Sequence, residues 1–115
     1  MVLEDILGKK IVAYRIGDNG FDLIFDDGTE LEVYVLQRRG KARIVYGIER
    51  YKWFPAPTLV AARGEVSRLH EAGIYGADVV VIPKGEVYIA VPVKELDKLE
   101  EICGKDHSLL VCRNL

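Results

Sequence analysis

A chain of 115 residues, half of them apolar, is enough for one compact core, and sixteen basic against eighteen acidic side chains leave a net charge of −2. That balance excludes a polycation that would condense on DNA or an anionic membrane, and no apolar run approaches the ~18–20 residues of a bilayer span. The opening MVLEDILGKK carries acids where a secretory leader carries bases, so a cytoplasmic protein without membrane partners is expected.

Charge supplies almost all the hydrophilicity. One Gln, two Asn, two Ser and two Thr stand beside abundant Lys, Arg and Glu. This composition, poor in amides and rich in ions, points to a thermophilic source.

Leu3–Leu7 reads as a short helical turn, held by Leu3, Ile6 and Leu7. A meander follows. Strands over Lys9–Ile16, Phe21–Phe25, Thr29–Gln37 and Ala42–Ile48 are separated by Gly-bearing corners that supply positive φ. In the third strand Leu31, Val33 and Val35 alternate with Glu32 and Tyr34, which predicts one buried face and one wetter face. Glu49–Pro57, aromatic, basic and ended by prolines, reads as a connector. Thr58 is the expected N-cap of a helix reaching Ala72, with Gly73 as its left-handed stop. Leu59, Ala62, Val66 and Leu69 form that helix's apolar stripe. Gly64 within it costs about 1 kcal/mol relative to Ala, which implies close backbone packing there.

Two β-branched runs, Val79–Ile82 and Val87–Val91, flank the turn Pro83-Lys84-Gly85-Glu86. Neither run alternates cleanly, so both are expected to be covered on both faces. A second helix over Lys94–Cys103, stopped by Gly104, and a last strand at Leu109–Cys112 complete the chain. The expected fold is a single α+β domain: a four-stranded antiparallel meander (1–57, with its connector), then an α-β-β-α-β half (58–115) with a mixed sheet. Two helices would cover only one face of the central hairpin, so either the meander or a second subunit covers the other, and a homodimer is expected.

Three constellations could carry function. First, the stretch GADVVVIPKGEVYIAVPVKELDKLEEI, with a preceding helix bearing Glu65, resembles about half a chain's worth of the restriction-endonuclease-like core, particularly archaeal Holliday junction resolvases. In that family an Asp and the Glu of a Glu-x-Lys motif hold a divalent metal, and the Lys positions the attacking water. The resemblance places Asp78 at the Asp and Lys94 at the Lys, with Pro92 where the Glu would stand. Pro92 has no ligand atom, and a single carboxylate holds Mg2+ poorly. Glu65 or Glu95 would have to substitute. The resemblance therefore implies a nuclease-like protein lacking activity, with Mg2+ or Mn2+ needed only if it cleaves.

Second, residues 38–53 contain Arg38, Arg39, Lys41, Arg43, Arg50 and Lys52 against one acid, with Tyr46, Tyr51 and Trp53 interleaved. Residues 1–36 carry eight acids against three bases. Cations that neutralise phosphates and rings that stack on bases would suit nucleic acid. Opposed acidic and basic lobes would equally suit a homodimer. Third, Cys103, His107 and Cys112 are spaced unlike a zinc site and lack a fourth ligand, so no metal is expected. The two cysteines read as small core residues, or as a disulfide if the source is a hyperthermophile.

No phosphate-cradling Gly loop and no Ser-His-acid pattern is present. The leading expectation is a catalytically inactive, nuclease-like nucleic-acid-binding protein. An assembly module forming a homo-oligomer and a metal-dependent nuclease are the alternatives.

Overall fold

A computed structural model describes residues 2–115. They form two compact units, one ending at Arg50 and the other running from Tyr51 to Leu115.

The first unit opens with a 3-10 helix over Leu3–Ile6 and continues as an antiparallel sheet. Its strands are β1 (Ile11–Ile16), β2 (Gly20–Phe25), β3 (Thr29–Arg38) and the first part of β4 (Lys41–Ala56), hydrogen-bonded in that order. The meander expected from the sequence is therefore present. Its first corner closes with the Gly17 amide donating to the Gly20 carbonyl at 2.9 Å. Gly20 is there for space: an added Cβ would lie 2.0 Å from the Val33 carbonyl oxygen and 2.7 Å from the Tyr34 Cα. At the other end Asp27 accepts the Thr29 amide at 3.0 Å and pairs with Lys9. Partial burial raises the Asp27 carboxyl, but the Lys9 hydrogen bond and the Thr29 amide and hydroxyl outweigh it and hold the group at about 2.

The second unit has α1 (Leu59–Glu71), β5 (Asp78–Val81), β6 (Val87–Pro92), a 3-10 turn over Val93–Glu95, α2 (Leu96–Lys105) and a 3-10 helix over Leu110–Asn114. Its strands run β4, β6, β5, with Tyr51–Ala56 of β4 beside Pro92–Val87 of β6. Thr58 caps α1 by accepting the Ala61 amide at 3.0 Å, and the Gly73 amide closes the other end on the His70 carbonyl. Phe54, Leu69, Ile74, Ile89 and Leu99 centre a core that α1, α2, β4 and β6 all enter.

Five expectations need correction. The mixed sheet does not form, because every strand pairing is antiparallel. The strand expected at Leu109–Cys112 would have supplied the parallel partner, reached by a crossover through α2. Residues 110–114 coil instead, since Glu65 on α1 takes the Leu110 amide at 2.5 Å and the Val111 amide at 2.9 Å. Amides committed to a carboxylate cannot join a ladder.

The connector at Glu49–Pro57 is instead the continuation of β4 to Ala56. Pro55 is tolerated because residues 51–56 of β4 pair with β6 alone, and a strand with a ladder on one side can accept a proline. The hairpin is not covered alike on both strands. β6 is the inner strand and mostly buried, whereas β5 is the edge and leaves Val81 46% exposed. Finally, Gly64 faces open space, with nothing within 4 Å of an added Cβ, so no close packing explains it.

Candidate interaction surface

Alternation along a strand and the register between strands decide which side chains share a face. In the first unit Ile16 lies opposite Phe21, and Phe21 opposite Val33. Tyr14 lies opposite Leu23, and Leu23 opposite Leu31. Across β3 and β4, Leu31 meets Ile48, Val33 meets Tyr46 and Val35 meets Ile44. One face of the sheet is thus apolar across all four strands. Leu31 is buried, and Leu23, Val33 and Ile48 are half-buried. Towards the β3–β4 tip the face is open. Ile16 and Ile44 are each 78% exposed, Tyr14 68% and Tyr46 50%. Isolated apolar residues on a surface need no explanation, whereas this patch is contiguous across four strands.

The opposite face is charged. Arg15, Asp22 and Glu32 form one rank across β1, β2 and β3, and Glu30 stands two residues from Glu32 on the same side. The Arg15 guanidinium donates to both oxygens of the buried Glu30, at 3.1 and 3.3 Å, and lies 3.9 Å from Asp22. One oxygen from each of Asp22, Glu30 and Glu32 falls within 4.8 Å of the others. Three carboxylate oxygens so placed suit a hard cation. Arg15 already contacts two of them, Glu30 and Asp22.

The basic residues anticipated as a nucleic-acid surface are divided. Arg38, Arg39 and Lys41 cluster at the exposed β3–β4 tip, where Arg39 adopts φ 52° and Gly40 φ 76°. Arg43 and Arg50 sit seven positions apart on a regular strand, opposite Leu36 and Thr29, and so leave opposite faces. Lys52 and Trp53 belong to the second unit. There the Lys52 ammonium lies 5.3 Å from the Phe54 ring centre, and Trp53 packs against Tyr88 at 5.3 Å between ring centres.

The residues assigned to nuclease chemistry all lie in the second unit. A groove of about 520 Å3 between α1 and the β5 edge is lined by Asp78, His70 and Arg63, but not by Glu65 or Lys94. Asp78 accepts the amide of Val79 at 2.8 Å, covering an edge amide of β5. Glu65 spends both oxygens on the last 3-10 helix. Lys94 sits in the exposed turn before α2, next to Glu95.

Cys103 and Cys112 are joined as a disulfide, and His107 is exposed on the loop between them. The bond and the Glu65 carboxylate fix the C-terminal helix to α2 and α1 respectively.

Sequence reasoning found the β3 part of this face, Leu31, Val33 and Val35, but expected it buried; Val35 is exposed, and the extension of the face to β1, β2 and β4 was missed although its signal was present. Ile44, Tyr46 and Ile48 alternate in step with Leu31, Val33 and Val35, and only two helices are available to cover anything. No family model, curated protein or solved structure matches this chain.

Proposed function

We propose that this chain is a non-catalytic assembly module, and that the apolar face of β1–β4 is a protein-binding surface. One observation carries the reading: Tyr14, Ile16, Phe21, Val35, Ile44 and Tyr46 share a sheet face and are each at least 40% exposed. Covering such side chains is worth about 1.5–3 kcal/mol each for full burial, so leaving the face in water sacrifices stability that a partner would recover. The engagement of both Glu65 oxygens by the Leu110 and Val111 amides supports a role without hydrolysis, since metal-assisted cleavage needs free ligands on one centre.

The test compares Ile16→Lys with Ile44→Lys against a control pair, Val60→Lys with Tyr75→Lys, at exposed apolar positions elsewhere. The face variant is expected to lose protein association and binding of an apolar fluorescent dye, with circular dichroism unchanged; the control keeps both. Wild-type protein that neither associates nor binds dye would end this reading. Nucleic acid at the Arg38-Arg39-Gly40-Lys41 tip is the competing role. It is favoured instead if single-stranded, double-stranded or branched probes bind at low salt and Arg38→Ala with Arg39→Ala releases them.

A further inference from the structure

We infer that the edge of β5 and the groove beside it take up an extended segment of another protein, which adds a strand to β5 and presents an acidic side chain to Arg63. This site lies in the second unit and goes beyond the apolar face proposed above.

The hydrogen-bond phase of the hairpin is the first argument. The Ile82 amide donates to the Glu86 carbonyl at 3.1 Å, and the register pairs Val80 with Tyr88 and Val81 with Val87. Opposed residues in an antiparallel ladder alternate between bonded and non-bonded pairs. Val80, like Ile82, therefore bonds inward to β6, while the Val81 amide and carbonyl point away from it. β5 ends the sheet on that side. The Asp78 carboxylate accepts the Val79 amide at 2.8 Å, whereas no side chain of the described residues covers Val81, which is 46% exposed. Outward main-chain groups at a sheet edge are what an added strand binds.

The groove is the second. It measures about 520 Å3 and lies between α1 and that same edge, with Val66, Val79 and Val81 supplying apolar lining. A strand beside β5 sends alternate side chains to one face, so every second one would enter the groove. Main-chain bonds then give affinity and the groove gives selectivity. A small anion could satisfy Arg63 but not the donor and acceptor that Val81 holds side by side; an extended peptide supplies both.

Charge specifies the segment. α1 turns back into β5 through residues 72–77, and His70 Nε2 lies 2.7 Å from the Ala77 carbonyl oxygen. Helix and strand run in opposite senses. Arg63, about two turns (~10 Å) back along α1 from His70, thus comes towards the Val81 end of the groove. Arg63 is exposed and makes no ion pair among the described residues. Asp78 stands at the opposite end. A segment with a carboxylate level with Val81 and none level with Asp78 suits both ends, and the reversed pattern sets like charge against each.

Selection of random peptides displayed on phage against the wild-type protein, followed by fluorescence anisotropy with the enriched peptide, tests this. Enriched peptides are expected to alternate apolar and polar residues and to carry an Asp or Glu. Val81→Pro removes the outward amide without touching the β6 ladder and should weaken binding about tenfold. Val81→Thr keeps that amide and should bind within about twofold of wild type. Arg63→Glu should weaken binding about tenfold, and exchanging the peptide's acid for lysine should restore it. This charge exchange leaves β5 untouched, so the inference stays exposed to disproof if Val81→Pro does not fold. No enrichment, binding indifferent to Val81→Pro, or failed restoration by lysine each overturns it. So does a dimer in sedimentation velocity that Val81→Pro dissolves, which would seat a second β5 at the edge. Binding lost in Ile16→Lys with Ile44→Lys but kept in Val81→Pro also overturns it, and assigns the peptide to the apolar face of β1–β4. Binding that survives the lysine pair and fails in Val81→Pro supports the inference whatever that face does.

Discussion

The Glu65 carboxylate accepts the main-chain amide of Val111 at 2.9 Å, tying α1 to a residue the chain reaches only after its second helix. The other oxygen takes the Leu110 amide at 2.5 Å. Glu65→Ala is expected to destabilise the protein by about 2–4 kcal/mol, because a buried amide without an acceptor costs about 1–3 kcal/mol. Glu65→Gln keeps one acceptor oxygen and should cost less. Denaturant unfolding gives the magnitude, and hydrogen exchange at Leu110 and Val111 locates it. A catalytic Glu65 would instead leave unfolding nearly unchanged.

The disulfide acts on the same segment from the other side. Cys103 and Cys112 lie nine residues apart, and Cys103 is buried against the core of the second unit. Closing a loop of that length removes unfolded-state entropy worth roughly 2.5 kcal/mol. Reductant, or Cys103→Ala with Cys112→Ala, should lower the denaturation midpoint accordingly. The double variant should then no longer respond to reductant. A reductant-insensitive wild type would contradict the expectation.

Local signals were legible and long-range ones were not. Thr58 and Gly73 bracket α1 within a residue of its observed ends, because capping depends on neighbours in the chain. Glycine corners placed the meander for the same reason. Leu109–Cys112 looked like a strand because four apolar residues cannot declare where their amides will go. A carboxylate 45 residues earlier decided that. Pro55 looked like a stop because its harmlessness depends on residues 51–56 pairing with β6 alone. The split of the basic residues was readable from the two-residue period of β4, which sends Arg43 and Arg50 apart. The Arg15–Glu30 pair was not, since it requires the register of three strands.

Asp27 makes a small part of the first unit's stability sensitive to acid. Its carboxyl titrates at about 2, below the ordinary 3.8. A group depressed on folding contributes stability that is fully present above its unfolded pKa and lost as pH falls through the folded one. The loss should therefore occupy the window from about pH 4 down to about pH 2. Asp27 is exposed to water, so the contribution is small and screened by salt. Carbon-detected NMR titration should find the low midpoint in wild type, and Lys9→Ala should move it up towards the ordinary value. A normal midpoint in wild type would remove the Lys9–Asp27 pair from the account.

Gly20 and Gly64 should respond oppositely to the same substitution. A methyl at Gly20 would meet main-chain atoms of the neighbouring strand, the Val33 carbonyl oxygen at 2.0 Å and the Tyr34 Cα at 2.7 Å. Backbone cannot swing aside as a long side chain can, so β2 and β3 must separate where Phe21 meets Val33. Gly20→Ala is expected to cost about 2 kcal/mol or more, in the range of overpacked cores, and to weaken any protein association through the apolar face, which it disturbs. At Gly64 nothing lies within 4 Å and the backbone is helical. Gly64→Ala should stabilise by about 0.5–1 kcal/mol through the unfolded chain's lost freedom, leaving association unchanged. Chemical unfolding of both variants, read beside sedimentation, separates the two effects. A neutral Gly20→Ala would mean that β2 and β3 pair less closely than their register implies.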